Sequence, residues 1–206
     1  MIRKNTINCK LSHEKRTVKK IFNSCMDSFR LDQEVCPHCG CIGKLRIHAY
    51  YKRTLIDLVD GRPGKIRLCV RRLICEACEK PSTHAVLPDP IIPYCRHSLL
   101  FIIRVLAEHA LRLRSIEKIC EAFEISENTF YRWQKLFEDH SDKWKGLIES
   151  TKGDLLSFIL ELVRKDPYSG FARFFIQITG RSFLQAHRNP PNLQCMDVSS
   201  DTGCIP

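Results

Sequence analysis

Apolar positions along the chain change their period three times. Val18, Ile21, Phe22 and Met26 recur at helical spacing inside a basic stretch, which predicts a short amphipathic helix in residues 1–30, with a basic arm as the alternative. From Lys44 to Leu58 the β-formers Ile47, Tyr50, Tyr51, Thr54 and Ile56 dominate. Asp60-Gly61-Arg62-Pro63-Gly64 then gives a strong turn signal. Beyond it Ile66, Leu68 and Val70 alternate with Arg67, Cys69 and Arg71, the period of a strand with one buried face. The two runs predict a long β-hairpin. Four prolines between positions 81 and 93 exclude a helix there and predict an extended connector packed on the hairpin.

The period then turns helical. Ser98 is placed to cap a helix running to about Arg112, with Leu99, Ile102, Ile103, Leu106, Ala110 and Leu113 on one face. Ser115 can cap a second. Residues 116–135 fit a helix-turn-helix: Ile119, Phe123, Ile125, Phe130 and Trp133 supply apolar contacts, and Cys120 the small residue. Ser126 would cap the second helix. Its outward face would carry Asn128, Thr129, Tyr131, Arg132 and Lys135, residue types that reach bases or phosphates in a major groove. Glu124 stands where such turns commonly hold glycine, so it must accept a left-handed backbone or use another turn. A plain helical hairpin with an aromatic core is the alternative.

Cysteine spacing changes this picture most. Cys36-Pro37-His38-Cys39-Gly40 and Cys75-Glu76-Ala77-Cys78 are two Cys-x-x-Cys pairs with 35 residues between them. This is the ligand pattern of a structural zinc ribbon, in which four thiolates close a tetrahedral site and leave no position for water. A lone hairpin is marginal in water, and zinc would supply what it lacks. Inert buried cysteines and a redox pair are the alternatives; the redox pair wants a βαβ pattern that is missing. His38, Cys41, Cys69 and His84 stay open as ligands by spacing, although His84 reads first as a structural hydrogen-bonder.

The chain has 206 residues, room for one or two small domains, and 44% hydrophobic content. Its first twenty residues carry seven Lys and Arg with no apolar block after them, unlike a secretory signal. No run approaches the ~20 apolar residues of a membrane span. Twelve cysteines in such a chain suit a reducing, cytoplasmic setting. Formal net charge is +10; four thiolates on one divalent ion would lower it by two. Lys44, Arg46, Lys52, Arg53, Arg62, Lys65, Arg67, Arg71 and Arg72 outnumber Asp57 and Asp60 in the hairpin. Arginine suits bidentate phosphate or guanine contacts, so Arg53, Arg67, Arg71 and Arg72 join the helix face as candidate contacts to double-stranded DNA.

Cys36-Pro37-His38-Cys39-Gly40, Tyr51-x-Arg53-x-Leu55-x-Asp57-Leu58, Gly61, Arg71-Arg72-x-x-Cys75-x-x-Cys78, Thr83-His84, Leu87-Pro88 and Pro93-Tyr94 together resemble the N-terminal zinc ribbon of bacterial insertion-sequence transposases. They resemble still more closely a family of short zinc-ribbon proteins encoded near mobile elements. The resemblance spans about residues 30–140. It implies binding to element-end DNA, with Cys36, Cys39, Cys75 and Cys78 as zinc ligands. Such transposases continue into a domain whose carboxylates hold two divalent metals; only 66 residues follow position 140 here. Glu149, Asp154, Glu161 and Asp166 lie on or beside a helical stretch, Leu147 to Arg164, and read as solvated charge. Phe171, Phe174, Phe175, Ile178, Phe183 and Leu184 form an apolar segment, and the tail from Asn189 reads as disordered.

The resulting expectation is a small mixed protein, a zinc-ribbon β-hairpin followed by an all-α helix-turn-helix domain. Its parts are a basic arm or helix (1–30), the ribbon (31–95), the helix-turn-helix (96–145), a helical extension (146–188) and the tail (189–206). The expected function is non-enzymatic DNA binding tied to a mobile element. A module docking a separately encoded transposase or regulator, a self-associating dimer, and a catalytically dead transposase remnant are the competing expectations.

Overall fold

The computed structural model describes residues 2–5, 18–36, 38–79, 83–144, 175–176, 178–179 and 181–186. In chain order the elements are strand β1 (Ile2–Asn5), helix α1 (Val18–Ser28), a single 3-10 turn (Leu31–Gln33), strands β2 (Leu45–Val59), β3 (Arg62–Cys75) and β4 (Thr83–Pro88), and helices α2 (Leu99–Ala110), α3 (Ile116–Phe123) and α4 (Glu127–Trp144). The sheet order is β1-β4-β3-β2.

The hairpin forms as its pattern predicts, but its turn is tighter. At the turn only Asp60 (φ 51°) and Gly61 (φ 79°) stand between the strands, the left-handed pair of a two-residue Asp-Gly turn whose twist matches the strands. Arg62, Pro63 and Gly64 already belong to β3, opposite Val59, Leu58 and Asp57. A Cβ on Gly64 would stand 2.9 Å from the Val59 side chain, so this glycine serves close packing rather than the turn.

The ribbon is not an isolated hairpin. The extended segment expected after it becomes β4, pairing Ile74 with Thr83, Leu73 with His84 and Arg72 with Ala85. β1 adds a parallel edge, Ile2 against Ala85 through Asn5 against Pro88. The basic N-terminal region thus supplies an edge strand and a helix. Val18, Ile21, Phe22, Cys25 and Met26 of α1 are buried, and all of them but Ile21 share a core with Leu55, Leu68, Val70, Leu73 and Val86 of the sheet. Lys19, Lys20, Asn23 and Ser24 are left in solvent. Expecting a ribbon alone missed this helix-covered mixed sheet, because strand pairing at long range leaves no local mark.

The helical half has its own core, in which Phe101 meets Phe123 edge-on at 5.6 Å and Trp133 at 6.2 Å. All three helix starts carry the serine cap that was expected. Ser98 Oγ accepts the Phe101 N–H at 3.0 Å, Ser115 Oγ that of Lys118 at 3.4 Å, and Ser126 Oγ that of Thr129 at 3.2 Å. Phe175, Phe183 and Leu184 join this core beside Phe137, and the Leu184 N–H donates to His140 Nδ1 at 3.3 Å. The stretch Leu147 to Arg164 and the tail from Asn189 lie outside the described residues.

The two cores meet at consecutive residues, Ile91 in the sheet cluster and Ile92 in the helical one. Backbone bonds lock the junction: the Ile56 N–H donates to Arg96 O at 2.7 Å and the Ser98 N–H to Ile56 O at 3.0 Å. Asp57 ties it further. This buried carboxylate accepts the Val18 N–H at the start of α1 (3.1 Å) and the Ser98 hydroxyl at the start of α2 (2.7 Å). A negative charge there also favours the positive end of each helix dipole.

Candidate metal centre and basic surface

Four sulfurs converge at the base of the hairpin. The Sγ atoms of Cys36, Cys39, Cys75 and Cys78 all lie within 4.8 Å of one another. Cys36 is 3.6 Å from Cys78, and Cys39 is 3.6 Å from Cys75. Disulfide bonding requires about 2.05 Å, so these are four separate thiols around a common centre. Each pair shows the same local device. The His38 N–H points at Cys36 Sγ from 3.4 Å, and the backbone amides of Cys41 and Ala77 bond Cys39 and Cys75. Amide donors aimed at sulfur favour thiolate over thiol.

The knuckle backbone explains how the first pair reaches this place. The Gly40 N–H closes on Cys36 O and the Cys36 N–H on Cys41 O, both at 2.9 Å. Gly40 (φ 75°) and Gly43 (φ 64°) take left-handed backbone on the way out. A Cβ on Gly43 would sit 2.8 Å from the Asp32 carbonyl oxygen, so no other residue fits. The second knuckle needs no glycine, because Cys75 ends β3 and the Glu76 N–H is held by Lys44 O at 3.0 Å.

The thiols polarise one another. The Cys41 amide is the first cause pulling Cys39 down to about 6, while burial comes first in pushing Cys75 and Cys78 up. Cys41 bonds Cys39 from outside the group, and its own thiol is pushed up by that neighbour. Four crowded sulfurs cannot all ionise without a cation among them, and a cation would remove every proton. The arrangement can therefore hold a metal ion. Neither His38, Cys41, Cys69 nor His84 joins the four-sulfur group among the described residues; His84 is buried in the sheet core region, fully shielded from solvent.

The basic candidates separate into two kinds. Arg53 is largely taken up inside: its Nη2 donates to Ile92 O at 2.6 Å and Cys95 O at 2.8 Å, and burial lowers its pKa. It holds the loop between the two cores, a job its charge alone did not reveal. Arg71 is half-buried, with Nη1 reaching Met26 O at 3.5 Å. Arg72 stands over the Tyr51 ring, 5.8 Å from its centroid. Arg67 is exposed, as are Asn128, Tyr131, Arg132 and Lys135 on α4. Thr129 is half-buried, and its hydroxyl lies 3.0 Å from Ser126 Oγ, so it completes the cap.

The turn before α4 has the geometry that Glu124 made doubtful. Glu124 takes a left-handed backbone (φ 51°, ψ 45°). The Ile125 N–H bonds Cys120 O at 3.0 Å and the Glu124 N–H bonds Glu121 O at 3.3 Å, a Schellman closure. Three residues join α3 to α4. Phe130, Trp133 and Phe137 fix the inner face of α4 in the core. His97 links this helix to the loop after β4: its ring lies edge-on to Trp133 at 4.9 Å. Burial first, then the guanidinium charges of Arg96 and Arg132, push His97 down to about 4. Burial raises the Cys95 thiol, and the Arg53 and Arg132 charges offset part of that rise.

Residues 36–133 match the model of a domain of unknown function (DUF6431). No curated protein and no solved structure matches the chain. The matched span begins on the first sulfur of the cluster and ends on Trp133, enclosing all four thiols, α3, the turn and only the first seven residues of α4, while leaving out β1 and α1. Among the described residues no helix is long and apolar enough to cross a membrane.

Proposed function

We propose that the protein is a non-enzymatic double-stranded DNA-binding protein whose ribbon is stapled by zinc. The observation that carries this reading is the two-sided character of α4. Its inner face is buried among aromatic rings, while Asn128, Tyr131, Arg132 and Lys135 project into solvent just after a three-residue turn. That is how the second helix of a helix-turn-helix offers its early residues to a major groove. Zinc is the metal this donor set favours. Four thiolates at about 2.3 Å from a tetrahedral ion stand about 3.8 Å apart, close to the 3.6 Å of the two short pairs. A closed four-sulfur site supplies fold stability rather than chemistry.

The resemblance to insertion-sequence transposases adds the association with a mobile element, as an accessory or regulator acting at element ends. The net charge of +10 supports affinity through counterion release. As a rival, docking of a separate transposase through the ribbon and the Phe-rich segment would have to do without Phe175, Phe183 and Leu184, which are buried in the protein's own core.

The test is a duplex-binding measurement on zinc-loaded protein with sequences selected from random pools. Arg132→Ala is expected to cost about 1–3 kcal/mol and relax selectivity at one base position. Equal affinity and equal selectivity in the variant would reject α4 as the reading helix. One equivalent of zinc per chain is expected from elemental analysis.

A further inference from the structure

A second basic feature has no α4 residue in its lining among the described residues. A cleft of about 750 Å³ opens beside the distal half of the hairpin, lined by Lys19 of α1, Lys65 and Arg67 of β3, and Arg96 of the loop before α2. Thr54 adds a hydroxyl to its wall, and among the described residues no carboxylate contributes to the lining. Lys65 and Arg67 are two apart on one strand and so share a face. Both are exposed, as are Lys19 and Arg96. Among the described residues none of these four cations is in an ion pair. Three separate elements thus bring like charges to one concave place, an arrangement that repels itself until an anion enters and that concentrates anions from solution.

The position of Arg96 connects this cleft to the helical half. Its carbonyl is fixed by the Ile56 N–H, and the next residue, His97, lies against Trp133 of α4. The cleft is therefore held at a set distance from Arg132 by the same backbone bonds that join the two cores.

We infer that the cleft lined by Lys19, Lys65, Arg67 and Arg96 seats the sugar-phosphate backbone of the duplex that α4 reads, as a second contact blind to base sequence. This rests on the reading of α4 given above. Cations without a shaped acceptor set bind phosphate oxygens but carry no base information. The two contacts then divide the work: α4 supplies choice among sequences and the cleft supplies affinity for any of them.

The experiment uses the full zinc-loaded chain and measures duplex affinity against salt for one selected and one scrambled sequence. Lys65→Gln combined with Arg67→Gln is expected to weaken both duplexes equally, by about 10- to 100-fold at moderate salt, and to flatten the log–log salt slope by about 2. Lys19→Gln with Arg96→Gln should reproduce that pattern from the opposite wall. Unchanged zinc content and circular dichroism confirm that these surface changes leave the fold intact. An unaltered salt slope in both double variants, with wild-type binding present, overturns the cleft while leaving the reading of α4 standing. Altered preference between the two sequences overturns it also, because a backbone contact cannot change choice. If the wild-type chain binds no duplex at low salt, or binds single-stranded RNA of equal length more tightly, both readings fall together.

Discussion

The sheet half closes its base with four sulfurs inside 4.8 Å, brought together from positions as far apart as 36 and 78. The helical half closes with rings instead: Phe101, Phe123, Phe130 and Trp133 are each buried, and three serines finish its helix starts over spans of three residues. One half is thus made stable by joining distant points of the chain, the other by local caps and shared apolar surface. Distant closure costs chain entropy that an open hairpin cannot recover alone, which is why a metal staple would serve the sheet rather than the helices. Local closure needs no such help, since helices gain most of their stability from packing an amphipathic face.

Metal loss breaks that comparison hardest. With zinc in the four-sulfur site as proposed, Cys75→Ser or chelation would remove a closure worth an apparent ~10–16 kcal/mol in structural zinc sites. Hydrogen exchange is expected to lose protection across residues 45–75 while the amides of 99–137 stay protected. Simultaneous loss in both regions would show a single cooperative unit and dissolve the contrast between them.

Asp57→Ala strikes the joint instead. It leaves the Val18 N–H and the Ser98 hydroxyl without their acceptor and is expected to lower stability by about 2–4 kcal/mol. Urea denaturation measures it, and a change under 0.5 kcal/mol would mean that the cores do not rely on this carboxylate.

These two residues also mark where sequence reading succeeds and where it stops. The cysteine pairs and Ser98, Ser115 and Ser126 were legible because knuckles and caps are built from neighbours within four positions. Asp57 sat in full view inside Tyr51-x-Arg53-x-Leu55-x-Asp57, a motif carried by resemblance, yet its partners lie 39 and 41 residues away. The alternation of that motif was the available signal. Arg53, Leu55 and Asp57 fall on one side of β2, so a buried Leu55 pulls both charged neighbours inward with it. Charge alone had assigned Arg53 to DNA, but charge says nothing of burial. Arg96 escaped notice for a similar reason: a single arginine before a cap becomes part of a basic cleft only when β3 and α1 arrive beside it. β1 was hidden because a pairing partner leaves no period in the strand that finds it, and β4 was legible only as an extended connector whose place in the sheet depends on Leu73 and Ile74 across from it.

His97 sharpens the comparison through pH, since it lies where loop and helices touch. Its folded pKa, about 4, is below the ordinary 6.5 through burial and then the Arg96 and Arg132 charges. As pH falls the unfolded chain takes up the proton first. The contribution is complete above about 6.5, declines as pH drops towards 4, and levels below it. Half-exposure screens the effect, leaving about 1–2 kcal/mol. His97→Phe keeps a ring against Trp133 and removes the titration. The gap between wild type and variant in urea stability should narrow in the variant's favour from pH 7 to pH 4.5, and a constant gap would exclude His97 as its source.

The smallest effect concerns the turn that presents α4. Glu124 holds a left-handed backbone (φ 51°) that costs a residue with a Cβ about 1 kcal/mol and glycine almost nothing. Its side chain is exposed, so Glu124→Gly removes no packing. The Schellman bonds from Ile125 and Glu124 to Cys120 and Glu121 are backbone bonds and survive the change. Glycine's freedom in the unfolded chain offsets part of the relief. A net gain of about 0.5 kcal/mol is expected, read as a higher urea midpoint at unchanged slope. The gain should be confined to the helical half, with protection of 45–75 unchanged by hydrogen exchange. A loss of stability would mean that the Glu124 carboxylate makes a contact in solution that outweighs its backbone strain, and the turn would then owe its shape to that side chain rather than to the closure of α3.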